Sequence, residues 1–264
     1  MLNLALLTIK GVFRDKVFRG ILVTAFAFLL IPPISTLSMR QVTALSLTLS
    51  LSLISFILLL LSIFLGGTSL WKDMERRYTF SVLGLPISRT SYLLGKFFGI
   101  AGFLSITAVL LGAVCCIVVW YISGAYPPPD RPLVWSNIVM AIIFDAMKYV
   151  LLISCAFLFS TVSTSFFLPI FGTISAFFIG SASQSVYDYI NSPAGQSFSP
   201  LFNKTVTVLY YIVPNFSAFD LQVNAIYGVT LSPPGLLLTC SYFIVYTSLL
   251  LVMSSIIFSN REIQ

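Results

Sequence analysis

The chain has 264 residues, 58% of them apolar and only 8% charged, with a mean hydropathy of +1.01 and no histidine. A soluble domain carries about 25% charged residues, so this composition excludes a water-soluble globule and a disordered chain, and it specifies an integral membrane protein. The missing histidine removes the commonest general base and metal ligand, and with it catalytic triads and most zinc sites. The net charge of +6 is distributed as in a membrane protein, and no nucleic-acid partner is expected.

In chain order, residues 1–19 are too charged to cross a bilayer. Leu2, Leu6, Ile9, Phe13 and Val17 recur at spacings of three and four and form one apolar helical face. Lys10, Arg14 and Asp15 lie away from its centre, with Lys16 on the edge. The pattern fits either a helix lying along the interface, its basic groups near anionic lipid, or a polybasic flank that only sets topology.

A crossing needs about 20 apolar residues. The charge-free intervals predict spans near 20–38, 44–70 and 97–123. The long interval from Tyr149 to Tyr187 is divided by the polar run Ser160–Ser165 and by Pro169, which predicts spans at 136–160 and 166–185. A sixth span, 236–258, ends before Arg261. The first apolar run is longer than a typical signal sequence, and Pro32-Pro33 stands where a cleavable core would continue, so it reads as a true span. Ten Lys and Arg residues fall before span one, between spans two and three, and after span six, against Arg40, Arg131 and Lys204 on the other side. Both termini are therefore expected in the cytoplasm, in a multi-pass protein of the cell (inner) membrane. Trp71, Trp120 and Trp135 fall at predicted span ends, where indoles favour the interface. Cys115, Cys116, Cys155 and Cys240 lie in apolar runs without ligand spacing and read as small buried hydrophobes.

The stretch 71–96 is the most informative. Residues 72–83 fit a short helix with Asp73 and Glu75 near its start, Gly84 to end it and Pro86 to prevent continuation. Ser88 can cap the next span. A charged helix on a tight elbow suits docking of a soluble partner; a solvated loop obeying the positive-inside rule has the same composition. The outer loop 125–134 contains Pro127-Pro128-Pro129, a stiff segment without visible chemistry. Thr205 to Phe219 is apolar but too short to span, is interrupted by Pro214 and is closed by Asp220. It reads as a segment that dips into the outer leaflet and returns, either as a cap over a pathway or as a peripheral element. Asp145 and Lys148 are the only charges well inside a predicted span. They share a helix face, roughly 15 Å from Trp135, as either a structural pair or a polar lining.

The arrangement resembles the ABC type-2 transporter permeases. The resemblance rests on Glu75-Arg76-Arg77-Tyr78-Thr79, then Leu85-Pro86-Ile87-Ser88-Arg89 and Tyr92-Leu93-Leu94-Gly95-Lys96, with Tyr78-Thr79 standing where a Gly-Thr pair is often found. Tyr210 to Asp220 is similar to the segment before the last span of these permeases and includes Pro214, Phe216 and Asp220. The resemblance implies an all-α polytopic domain over 1–264, with six spans, an N-terminal interfacial helix, a coupling helix and a re-entrant outer segment. It also implies a second permease copy and two cytosolic ATPase subunits, with Asp73, Glu75, Arg76, Arg77, Tyr78, Thr79, Pro86 and Arg89 at the coupling contact. The cargo and a periplasmic accessory protein stay open. No Gly-x-x-x-x-Gly-Lys-Ser/Thr loop is present, so ATP and magnesium are expected in the partner and no cofactor in this chain. Two other functions compete: a non-transporting membrane scaffold, and a serine–lysine enzyme built on Lys148 with Ser154 or Ser160. Asp145 beside Lys148 argues against a free lysine base.

Overall fold

The computed structural model describes residues 6–9, 11, 20, 31–35, 41–75, 88–126, 132–193 and 198–260. All regular structure among them is helical. A short helix, α1 (Ile31–Ser35), precedes the first long rod. That rod is α2 (Val42–Leu61), a π turn (Ser62–Gly66) and α3 (Gly67–Glu75), running without a break. Then follow α4 (Arg89–Ala125), α5 (Trp135–Val162), α6 (Phe167–Asn191), α7 (Pro200–Ile212), a 3-10 turn (Ser217–Phe219), α8 (Gln222–Tyr227) and α9 (Pro233–Asn260).

Five of these segments are long and apolar enough to cross a membrane: Val42–Leu70, Arg89–Ala125, Trp135–Val162, Phe167–Asn191 and Pro233–Asn260. The chain is thus an all-α, multi-pass membrane protein. The predicted first span, 20–38, lies outside the described residues except for Gly20 and Ile31–Ser35. Of the N-terminal amphipathic stretch, only residues 6–9 and Gly11 are described, and they are helical.

Several helix ends follow local chemistry. Ser88 caps α4, its hydroxyl accepting the Ser91 N–H at 3.2 Å. The break between α5 and α6 is a serine turn in which Ser163 Oγ accepts the Ser165 N–H at 3.0 Å. Pro169, in the first turn of α6, has no intrahelical donor to lose. The last helix begins at Pro233, three residues earlier than the apolar run suggests, because proline is preorganised for a first turn. The largest departure is at residues 72–75. Read as the start of a separate helix, they form the last turn of α3, continuous with the span. Nothing in Ser62–Glu75 breaks a helix strongly enough to separate them, and the rod absorbs its one irregularity as the π turn.

α5 is the central rod: 67% of its most apolar stretch is covered by protein, against 17% for α6 and for α9. It meets the π turn through small residues, for a Cβ on Gly66 would stand 3.0 Å from Ala156 Cβ. Ser160 Oγ donates to the Gly67 carbonyl at 3.1 Å at the same crossing. Tyr92 on α4 stacks on Phe258 of α9, with ring centroids 6.4 Å apart. These contacts bring Asp73, Lys96, Ser160 and Phe258 to one end of the bundle. The opposite end carries Val42, Trp135 and the segment 198–232.

Candidate functional site

Midway along α5 lies a buried polar node. Asp145 and Lys148 are each 8% exposed, and their side chains form an ion pair at 2.5 Å. A third side chain arrives from α2: Ser55 Oγ donates to Asp145 Oδ1 at 3.2 Å and stands 2.7 Å from the Tyr149 hydroxyl and 3.4 Å from Lys148 Nζ. The Lys148 ammonium also sits 4.7 Å from the centre of the Tyr149 ring. An intramembrane charge pair must have its remaining lone pairs and protons met by polar neighbours, and one hydroxyl from the facing helix serves three of them here. The node therefore ties α5 to α2 by hydrogen bonds as well as by packing.

A second node closes the Asp73 end. Lys96, 7% exposed, forms an ion pair with Asp73 and also donates to the Ser69 carbonyl. The buried Tyr92 hydroxyl donates to the same Asp73 carboxylate. Arg89 Nη1 reaches the Ser259 carbonyl at 3.2 Å, near the end of α9. Residue 75 and residue 88 are thus the two feet of the segment 76–87, and they stand on helices cross-bonded to each other and to α9.

Over the other end lies the segment expected to dip and return. It is a helical pair: α7 ends at Ile212, the chain turns at the buried Pro214, and the 3-10 turn and α8 follow. Its anchors are specific. Phe216 N–H donates to the Gly180 carbonyl at 3.2 Å, and a Cβ on Gly180 would collide with the Pro214 carbonyl and the Phe216 ring. Asn215 N–H donates to the Tyr242 hydroxyl at 2.7 Å, while Gln184 Oε1 accepts from both Tyr210 and Asn215 Nδ2. Asn137 Nδ2 holds the far side through the carbonyls of Asn224 and Val229. Phe216 and Phe219 are fully buried, and Phe177 joins Phe216 to Tyr149 with centroid distances of 6.1 and 6.2 Å. Asp220 is exposed and accepts the Gln222 N–H at 3.1 Å.

Among the residues expected at a coupling contact, Asp73 turns its carboxylate towards Tyr92 and Lys96, and Arg89 reaches along the bundle to Ser259. Glu75 closes α3. Arg76, Arg77, Tyr78, Thr79 and Pro86 lie outside the described residues. The serines paired with Lys148 on sequence grounds point elsewhere: Ser154 donates to the Leu151 carbonyl at 2.6 Å and Ser160 to Gly67. Ser55, Gln184 and Asn137 carry no site signal in the sequence, while Tyr92 and Lys96 stand in the motif of the permease resemblance, which assigns them no part at Asp73. Tyr149 had a usable signal, since it follows Asp145 by one helical turn on the same face; Ser55 had none, being one of several serines in the leucine-rich run of α2. No group of three or more His, Cys, Asp or Glu side chains able to hold a metal occurs among the described residues. Compared with known proteins, the chain matches no family model and no curated protein sequence.

Proposed function

We propose that this chain is the membrane-spanning permease subunit of an ATP-driven exporter, paired with a second permease copy and moved by separate cytosolic ATPase subunits. The observation that carries this reading is the junction of Asp73, Lys96 and Tyr92 at the base of residues 76–87. That segment bears Arg76 and Arg77 on a short stretch between two spans. A force applied to it reaches two spans at once, because their ends are joined by partly buried charge-assisted hydrogen bonds. The pinned helical pair over the opposite end supports the same reading, as a cover on the far side of a pathway. Asp73 is in this view a positioning residue for the coupling segment, while Glu75, Arg76 and Arg77 meet the ATPase. The Lys and Arg asymmetry supports a cytoplasmic position for 76–87 and both termini.

Co-purification tests the proposal. A tagged chain expressed from its native locus should bring down a stoichiometric ATPase, and alanines at Glu75, Arg76 and Arg77 should weaken that association while leaving membrane insertion intact. A chain that purifies without any ATPase and is unaffected by those alanines is a scaffold or an enzyme instead. Cysteine labelling in intact cells tests the sidedness: position 76 should resist an impermeant reagent added outside.

A further inference from the structure

Hydroxyls inside the spans commonly bond back to the preceding turn of their own helix. Thr48 donates to the Ala44 carbonyl at 2.8 Å, Ser105 to Ala101 at 2.9 Å, Thr173 to Pro169 and Ser254 to Leu250. Three hydroxyls of α2 do not. Thr43, Ser46 and Ser50 are 2%, 0% and 0% exposed, and none of their Oγ atoms has a hydrogen-bond partner among the described residues. Thr43 stands in the first turn, where the helix offers no carbonyl behind it. Ser46 and Ser50 have the Val42 and Ser46 carbonyls behind them and leave both unused. The three repeat at spacings of three and four, so they form one stripe. α2 packs along α4, where the fully buried Cys115 thiol faces Ser50, and a thiol is only a weak hydrogen-bonding group. α1 and α8 also pack on α2.

We propose that Thr43, Ser46 and Ser50 bind a short file of water molecules in the seam between α2 and α4, at the end of the bundle away from Asp73. Spacing sets the number of waters. Side chains three or four residues apart on a helix have Cβ atoms about 5–6 Å apart, and a water hydrogen-bonded on both sides spans about 5.6 Å. One water then bridges Thr43 to Ser46, and a second bridges Ser46 to Ser50. Each hydroxyl donates once and accepts besides, so donors and acceptors stay matched along the file. Charge sets the occupant. Three neutral hydroxyls do not repay the dehydration of an ion, whereas buried water is held by polar groups of this kind that the protein leaves unsatisfied. The water also removes the penalty of three buried hydroxyls without partners. The inference rests on α2 and α4 alone and does not require the transport reading.

The test uses the full chain in lipid nanodiscs under a short X-ray pulse, which makes hydroxyl radicals from water wherever it lies, so that bound water oxidises the side chains beside it. Two buried thiols supply the comparison: Cys115, 0% exposed and facing the stripe, and Cys155, 4% exposed on α5. Cys115 should be oxidised several-fold faster than Cys155. Thr43→Val combined with Ser46→Ala and Ser50→Ala should bring Cys115 down to the Cys155 rate. Equal rates in the unmodified chain overturn the proposal, as does a Cys115 rate that the triple change leaves unaltered. A Cys115 rate that shifts when sodium and potassium are replaced by N-methylglucamine would assign the seam to a cation and also overturn it. Should the triple variant not fold, the ratio of the two thiols in the unmodified chain decides.

Discussion

Asp145 and Lys148 lie one turn apart on α5, whereas Asp73 and Lys96 come from two helices separated by the segment 76–87. The first pair would exist on an isolated helix and borrows Ser55 from α2 to complete its hydrogen bonds. The second exists only when α3 and α4 are side by side, and it recruits the Ser69 carbonyl and Tyr92. The environments differ as well: the Asp145 side chain is 11% exposed and the Asp73 side chain 29%. A pair within one helix orients that helix, because its charged face must point into protein. A pair between helices locks a junction. The two nodes meet one rod at Asp73 and Ser55, with the π turn of Ser62–Gly66 between them.

The sharpest way to break this contrast is Asp145→Asn, which strands Lys148 in mid-membrane. Breaking one partner of a buried pair costs about 3–5 kcal/mol. Unfolding in detergent should show that loss, and the double change Asp145→Asn with Lys148→Met should recover most of it. Under the proposed function, a double variant that folds but no longer supports export puts the pair on the path, and one that recovers both has a pair that only orients α5. Equal stability of the single and double variants would contradict the pairing itself.

A smaller effect is expected at the junction. Lys96→Met removes one ionic partner of the partly exposed Asp73 carboxylate, so the loss should be about 1–3 kcal/mol. Its signature is different in kind. Under the proposed function, insertion and ATPase association survive while stimulation of the ATPase falls, because the base of 76–87 is loosened and not its contact surface. Loss of association instead would place Lys96 in the docking surface and refute the positioning role.

The smallest change is Ser55→Ala. Intramembrane hydrogen bonds average about 0.6 kcal/mol, so stability should barely move. Cysteine pairs engineered across α2 and α5 should cross-link less selectively, since the hydroxyl is the only hydrogen-bonding link that Asp145 has to α2 among the bonds described here. Unchanged selectivity would mean that packing alone sets the register of these two spans.

How much of this was legible beforehand varied with the range of the interaction. The charge-free intervals located five of the six predicted spans, but α4 begins at Arg89 and not near 97, and α6 runs to Asn191 and not 185; the i, i+3 spacing paired Asp145 with Lys148 directly. Ser88 was readable as a cap, because capping is local. Asp73 reads from the sequence as an acid near the start of a separate helix with a coupling role, and only the approach of α4 gives it Lys96 and Tyr92. Gly180 looks like an ordinary helix glycine until Pro214 and Phe216 pack against it.

By itself the sequence determined that the chain lives in a bilayer, where its helices run, and which charges share a helix face. These follow from hydrocarbon thickness, hydrogen bonding within each helix and the 3.6-residue period, all of which act along the chain. Only the tertiary structure decided which serine completes the charge node, that Asp73 faces Lys96 and Tyr92, and how the helical pair α7 and α8 is pinned. Each of these depends on rotation and depth of neighbouring helices, and in a segment that is apolar nearly all round, the period leaves rotation open until another helix packs against it.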